Sequence, residues 1–498
     1  MEPVFAIAEK DVLKRLHFDN PWWKKGAGID NRFSKLPKRD YFPEFMGLVA
    51  DSSINRAVVL MGPRRVGKTV MVYHAIQELM QSDVSGNHIL YLSLETPLYT
   101  GMALERLLNV FNAEFDHQKE TKLYIFFDEV QYLKDWEIHL KSLVDSYPDY
   151  KFVVTGSAAA ALKLKSNESG AGRFSNFVLP PLTFAEYLRF IDRESELIEK
   201  VNDPSNCYES DKIDALNEEF LNYLNFGGYP EAVFSETIRE NPQQFIRGDI
   251  IDKVLLRDLP SLYGISDIQE LNRLFTTLAY NTGREISLDT LSKNSNVAKN
   301  TIGRYLEYLE AAFLIKRIER IDQNAKRFKR AMSFKVYLTN PSMRAALFGP
   351  IDADSSDMGP LAETAIFSQW QHNDRATLYY AQWKNGEVDI VYLDTITQTP
   401  SWAVEVKWSD RPFIHADELE NCVELAEKNT ALKEHFRVTS RTVSATKVYK
   451  NIKFEFMPCS LYTYVVGKNF FLCKGGWDAY SSRISHAAVE LKESKIIK

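Results

Sequence analysis

Gly62-Pro63-Arg64-Arg65-Val66-Gly67-Lys68-Thr69 is the stretch on which the reading of this chain turns. It satisfies G-x-x-x-x-G-K-[ST] at every fixed position. The glycines let the backbone curl until several N–H groups point at one phosphate. A helix starting at Lys68 would aim its positive end at the same phosphates. Lys68 has the reach for β- and γ-phosphate oxygens, and the Thr69 hydroxyl suits Mg²⁺. ATP with Mg²⁺ is therefore the expected ligand, cradled by Gly62, Pro63, Arg64, Arg65, Val66, Gly67, Lys68 and Thr69.

The surroundings of the loop agree with that expectation. Residues 57–61 read as a buried strand and 68–81 as a helix. Strands at His88–Leu94, Leu123–Phe127 and Phe152–Thr155 alternate with helices at Ala103–Asn112 and Trp136–Ser146. Such alternation predicts a parallel sheet covered on both faces. The strand Leu123–Phe127 runs into Asp128-Glu129, at the end of a strand where open α/β sheets bind ligands. Asp128 is expected to hold Mg²⁺, and Glu129 to polarise the attacking water as general base, with Lys68 as the other catalytic residue.

The chain has 498 residues, 45% hydrophobic and 26% charged, enough for about three domains. A net charge of −6 argues against a general polyanion binder, so nucleic-acid contact would need a local basic patch. Cys207, Cys422, Cys459 and Cys473 form no C-x-x-C pair and read as reduced thiols. With no signal peptide and no membrane-length apolar run, a cytoplasmic protein without membrane contact is expected. His74 reads as packing, and Trp22, Trp23 and Trp136 as core anchors.

Further along, the helical stretch Ala298–Ala312, preceded by a turn at Ser295-Asn296-Val297 and followed by a strand at Leu314–Ile318, suggests a helix-turn-helix with a wing. Residues 313–335 carry eight basic and two acidic residues. The basic ones are Lys316, Arg317, Arg320, Lys326, Arg327, Lys329, Arg330 and Lys335. They would grip phosphates, but Glu307 and Glu310 on the adjacent helix would repel DNA. A DNA-binding wing and a packing module with a solvated basic hairpin both stand. In the C-terminal third, Asp389 lies in Gly386-Glu387-Val388-Asp389-Ile390-Val391, and Glu405 and Lys407 in Val404-Glu405-Val406-Lys407. Period-two alternation places Glu405 and Lys407 on one strand face, and an upstream helix offers Glu363. An ordinary cross-strand Glu–Lys pair would read the same way.

Met61–Val70, Phe126–Val130, Thr155–Ala158, the run from Gly172 to Phe184, and Leu256-Arg257-Asp258-Leu259-Pro260 together resemble prokaryotic AAA+ ATPases. These join an ATPase core to an uncharacterised C-terminal domain, and the resemblance spans about residues 40–470. It implies that Thr155 or Ser157 senses the γ-phosphate. Arg173 is a candidate for transition-state charge, with an ordinary ion-paired arginine as the other reading. AAA+ relatives often form rings, so an oligomer is as open as a monomer or dimer. The C-terminal carboxylates resemble the PD-(D/E)XK nuclease fold, with Val388 where the name-giving proline would stand. By that resemblance Asp389 and Glu405 ligate Mg²⁺, Glu363 is an accessory ligand, and Lys407 orients or deprotonates the water.

The resulting expectation is an α/β protein: a P-loop AAA+ parallel sheet with helical lid, a winged-helix-like middle module, and a C-terminal PD-(D/E)XK-like α/β domain. Its parts would be 1–181, 182–265, 266–333, 334–476 and a helical tail 477–498. The function implied is ATP hydrolysis whose nucleotide state controls a nuclease-like domain acting on nucleic acid. The alternatives are a non-cleaving ATP-dependent switch that binds a protein or nucleic acid, and a transcription regulator.

Overall fold

A computed structural model of the chain describes residues 8–99, 101–156, 172–201, 208–265, 267–326, 333–370 and 377–472. Two compact units result. The first is Met1–Pro180 with Ala311–Phe313, and the second is Pro181–Glu310 with Leu314–Lys498.

In the first unit, α1 (Glu9–Asp19) precedes β1 (Ala57–Met61), α2 (Lys68–Gln81), β2 (Ile89–Ser93), α3 (Leu104–Phe115), β3 (Leu123–Asp128), α4 (Trp136–Ser146), β4 (Tyr150–Gly156) and β5 (Phe174–Val178). The sheet order is β2-β3-β4-β1-β5, with every pair parallel. β1 and β3 are buried along their whole length, as their unbroken apolar runs require for strands covered on both faces. The N-terminal segment is fastened to β2. Buried Asn20 donates to Tyr91 O and accepts from Tyr91 N–H, and the indoles of Trp22 and Trp23 donate to Ile89 O. His74 is buried with its ring nitrogen on Phe33 O, a packing role.

In the second unit, α5 (Phe184–Phe190), α6 (Ile213–Phe226), α7 (Ile268–Tyr280), β6 (Glu285–Ser287), α8 (Leu288–Ser295), α9 (Lys299–Ala311), β7 (Ile315–Ile321) and β8 (Ser333–Leu338) come first. They are followed by α10 (Met358–Trp370), β9 (Leu378–Trp383), β10 (Gly386–Leu393), β11 (Pro400–Glu405), α11 (Glu420–Lys428), β12 (Phe436–Ser440), β13 (Ala445–Tyr449), β14 (Ile452–Pro458) and α12 (Cys459–Leu472). These nine strands join one sheet, ordered β13-β14-β12-β11-β10-β9-β7-β8-β6, with a separate two-stranded pair at Glu199–Lys200 and Tyr208–Glu209.

That sheet changes the expected domain division. The helix-turn-helix of α8 and α9 is present, with Asn296 left-handed (φ 58) at the turn, and β6, β7 and β8 flank it. Yet β7 also pairs in parallel with β9, so the wing and the C-terminal strands are one sheet, and the boundary drawn at 333/334 falls inside β8. The stretch expected as a lid contributes Leu182, Phe184, Leu216, Phe220 and Tyr223 to a core shared with Tyr337, Ile366, Tyr462 and Val465. Its helices are therefore part of the second unit's core. Periodicity reveals strands and apolar faces, but not which distant partner covers them.

Cys422 and Cys459 are buried free thiols, while Cys207, Cys473 and the tail helix expected at 477–498 lie outside the described residues. Among the described residues, no helix is long and apolar enough to cross a membrane.

Candidate functional site

The phosphate loop leaves the C-terminal end of β1 and ends on α2. Two glycines make it. A Cβ at Gly62 would lie 2.2 Å from the Leu179 carbonyl oxygen, so only glycine permits that approach. Gly67 caps α2 at φ 95, a left-handed conformation that glycine adopts without penalty. Arg65 is also left-handed, at φ 64. Lys68 is buried, its ammonium donating to Gly62 O (3.1 Å) and Pro63 O (2.8 Å). From behind, buried Arg39 donates to Val66 O (2.7 Å) and Pro180 O (3.0 Å), bracing the loop. Arg39 was not a sequence candidate, because Pro37-Lys38-Arg39-Asp40 reads as a charged surface stretch.

Asp128 ends β3 and is 2% exposed. It accepts from the Thr69 hydroxyl (2.9 Å), the Tyr91 hydroxyl (2.9 Å) and the Thr155 hydroxyl. Burial, then the charge of Glu129, push its pKa above the ordinary carboxylate range, against the pull of these donors. Thr155 also accepts the Glu129 N–H (3.1 Å), so one hydroxyl ties β4 to both acidic residues. Glu129 is left-handed at φ 57, a conformation that costs a non-glycine residue about 1–3 kcal/mol and clusters at functional sites. Its carboxylate is held by the Gln131 amide. Thr69 and Asp128 supply hard oxygen donors suited to a divalent cation. Ser157 lies outside the described residues.

Arg173 is not part of this site. It precedes β5, whose Phe174 pairs with Ala57 at the start of β1, whereas the loop leaves β1 at Met61. Five strand residues put about 15 Å between those ends. Arg173 instead pairs with Asp145 at 2.5 Å, both half-exposed.

A second constellation lies in the second unit. Lys335 on β8, 2% exposed, donates to Glu363 (2.8 Å) on α10 and to Asp389 (3.1 Å) on β10, and pairs with Glu387 at 2.5 Å. The Tyr337 hydroxyl donates to the same Glu363 oxygen at 2.5 Å. The other Asp389 oxygen accepts the Val406 N–H at 2.9 Å. Lys407 donates to Glu405 Oε1 at 2.7 Å, while buried Glu405 Oε2 takes no hydrogen bond among the described residues.

Burial and then Asp389 push Glu363 up to about 8 and Glu405 to about 7. Asp389 is held below its ordinary value, because Lys335 and Lys407 outweigh its burial. Burial opposes the charge of Lys335, but Glu363 and Asp389 overcome it and raise its pKa. Asp389 and Glu405 stand on the paired strands β10 and β11, Lys407 pairs with Glu405, and Lys335 joins Glu363 to Asp389. Lys335, however, already bonds two of the three expected metal ligands. Among the described residues no group of three His, Cys, Asp or Glu side chains is arranged to hold a metal ion.

Three of the eight basic residues are engaged within the fold. Arg317 pairs with Glu310, Arg320 donates to Gln382 O, and Lys335 lies in the carboxylate cluster. Arg327, Lys329 and Arg330 lie outside the described residues.

Residues 54–188 match the family model of an AAA domain, and residues 217–354 match that of a domain of unknown function. An uncharacterised protein of Methanocaldococcus jannaschii is 26% identical over 349 residues, 68% of this chain and 72% of that one. An uncharacterised protein of Haemophilus influenzae is 26% identical over 298 residues, 58% of this chain and 69% of that one. Among solved structures, a Walker-type ATPase of Pyrococcus abyssi aligns at 16% identity with TM-score 0.38, over 66% of this chain and 99% of that one. Residues 54–188, which match the AAA domain model, hold the loop 62–69 and all five strands of the parallel sheet, the arrangement of a P-loop fold.

Proposed function

We propose that the first unit binds ATP with Mg²⁺ in the loop 62–69 and hydrolyses it, and that its nucleotide state controls the carboxylate cluster of the second unit. The observation that carries the first half is the 2.9 Å hydrogen bond from the Thr69 hydroxyl to Asp128. It joins the phosphate loop to the acidic end of β3 at one point. Lys68 would place its ammonium on the β- and γ-phosphate oxygens. Thr69 and Asp128 would hold Mg²⁺, which when bound draws charge from those oxygens. Glu129 would accept the proton of the attacking water. Thr155 would keep Asp128 and Glu129 in register.

For the second half, the succession α10, antiparallel β9-β10-β11, crossover α11 and parallel β12 supports a PD-(D/E)XK-like reading. So does the gathering of Glu363, Asp389, Glu405 and Lys407. On this reading Asp389 and Glu405, with Glu363, would serve a Mg²⁺-dependent cut in nucleic acid, with Lys407 beside the water. The test compares wild type, Lys68→Ala and Asp389→Ala. It measures phosphate release from ATP, and cleavage of single- and double-stranded DNA and RNA with Mg²⁺ or Mn²⁺, with and without ATP. ATP turnover should vanish in Lys68→Ala, and cleavage in Asp389→Ala. Turnover that survives Lys68→Ala would refute the nucleotide site. One observation favours a second reading, a non-cleaving switch: the Lys335 ammonium already bridges Glu363 and Asp389. Intact turnover with no cleavage under any condition would establish it.

A further inference from the structure

On β8, alternation sends Phe334, Val336 and Leu338 to one face, and Lys335 and Tyr337 to the other. Both faces are buried. An ammonium at this depth persists only when it is paired and hydrogen-bonded. Lys335 has three carboxylates within 3.1 Å, from Glu363 on α10 and from Glu387 and Asp389 on β10. One ammonium here links carboxylates from two elements. Lys407, the lysine that the motif anticipates, is engaged separately with Glu405. Lys335 is thus an additional cation, delivered by the strand that closes the helix-turn-helix module.

We infer that Lys335 is the resident cation of this cluster: its ammonium stands where a divalent ion shared by Glu363 and Asp389 would stand, and it keeps the metal out. The inference rests on the PD-(D/E)XK-like reading of the carboxylates and sides with the non-cleaving switch over the metal-dependent cut. Two features support it beyond the clustering of acids. Lys335 is almost wholly buried, so its contacts are not those of a mobile surface side chain. Glu405, 8% exposed, keeps one oxygen without a hydrogen bond among the described residues. An acceptor is therefore left over beside carboxylates that are already paired. Any metal entering through Asp389 must first displace Lys335, and with it the contact that β8 makes to α10 and β10.

The test uses the full chain without nucleotide and follows thermal unfolding in EDTA, then in Mg²⁺ or Mn²⁺. Wild type should show the same Tm in both. Lys335→Met removes the ammonium while keeping the stem, so its Tm in EDTA should fall, and saturating Mn²⁺ should raise it by about 5 °C or more. The double variant Lys335→Met/Asp389→Asn should lose that recovery, which separates this site from any metal taken up by the phosphate loop. If Lys335→Met does not fold in EDTA, refolding with Mn²⁺ asks the same question. Soluble protein recovered only with the metal supports the inference, and none with or without it overturns it. Wild type binding Mn²⁺ in a titration that Asp389→Asn abolishes would also overturn it, while leaving the nuclease-like reading standing. Metal recovery in Lys335→Met, with no cleavage by wild type under any condition, would support the inference and remove the nuclease reading.

Discussion

Asp128 and Asp389 are both buried aspartates on strands of an α/β sheet, and their surroundings solve the same problem in opposite ways. Asp128 is held by three hydroxyls, from Thr69, Tyr91 and Thr155. Asp389 is held by the ammonium of Lys335 and the Val406 N–H, with Lys407 adding its charge. Neutral donors orient a carboxylate without cancelling its charge, and a lysine cancels it. The two pKa values accordingly move apart, Asp128 upward and Asp389 downward. The comparison teaches that burial of an acid says little by itself. The first aspartate is held by neutral donors and the second by a cation.

The comparison can be broken at several points. Lys68→Ala should reduce ATP turnover by about 10²-fold or more, the cost of removing a preorganised charge from phosphoryl transfer. Phosphate release by a folded variant at the wild-type rate would show that the first site has been misread.

Asparagine substitution at the two aspartates should then move stability in different directions. Asp389→Asn leaves Lys335 short of charge in a buried place and should cost about 2–3 kcal/mol in urea unfolding. Asp128→Asn removes a buried charge held by neutral donors, and the three hydroxyls can turn to serve an amide. Its stability should stay within about 1 kcal/mol of wild type or rise. Equal losses in both variants would erase the distinction.

Thr155→Val takes the hydroxyl from Asp128 Oδ1 and the acceptor from the Glu129 N–H, leaving Asp128 its Thr69 and Tyr91 donors, and should cost about 1–3 kcal/mol and slow turnover.

A third carboxylate sharpens the contrast. Asp410 accepts the N–H groups of Arg441, Thr442 and Val443 and the Thr442 hydroxyl. Burial works against its charge, but these donors hold its pKa below the usual 3.8. The sign follows: its contribution is full above about pH 3.8, where the unfolded chain is ionised, and disappears as pH falls through the lower folded value. Asp410→Asn should be about 1 kcal/mol less stable than wild type near neutrality, and the gap should close in acid. A gap that is constant with pH would remove the carboxylate from the explanation.

Local chemistry made the first unit legible. Residues 62–69, β1, β3 and the acidic pair 128–129 are each contiguous, and each has its function written into residues next to one another. β5 escaped notice because Phe174–Val178 mixes Ser175 and Asn176 into a short run, and its place beside β1 is fixed only by pairing. In the second unit Glu363, Asp389, Glu405 and Lys407 could be found from spacing, but Lys335 was counted with a basic wing. The available signal was one lysine inside Phe334-Lys335-Val336-Tyr337-Leu338, an apolar run where a charge needs a partner. Residues 436–472 form three strands and a helix that the sequence reading leaves out; β12 finds its partner β11 about thirty residues upstream, but β13 and β14 are an adjacent hairpin whose signal was the turn at left-handed Lys450 and Asn451.

The last of those elements sets a schedule for synthesis. Gly467 on α12 approaches so closely that a Cβ there would lie 2.7 Å from the Gln369 side chain and 3.0 Å from that of Thr183. Gln369 in turn accepts the Phe184 N–H and donates to the Tyr223 hydroxyl. The residues beginning the second unit therefore wait for residues far along the chain before their oil-facing surfaces are covered. On the ribosome the five-strand sheet up to Val178 can be completed early, while Phe184, Tyr223 and Trp370 stay wet until α12 emerges. A message cut short before Cys459 would yield a chain with one finished half and one sticky half, the kind of product that chaperones and proteases recognise.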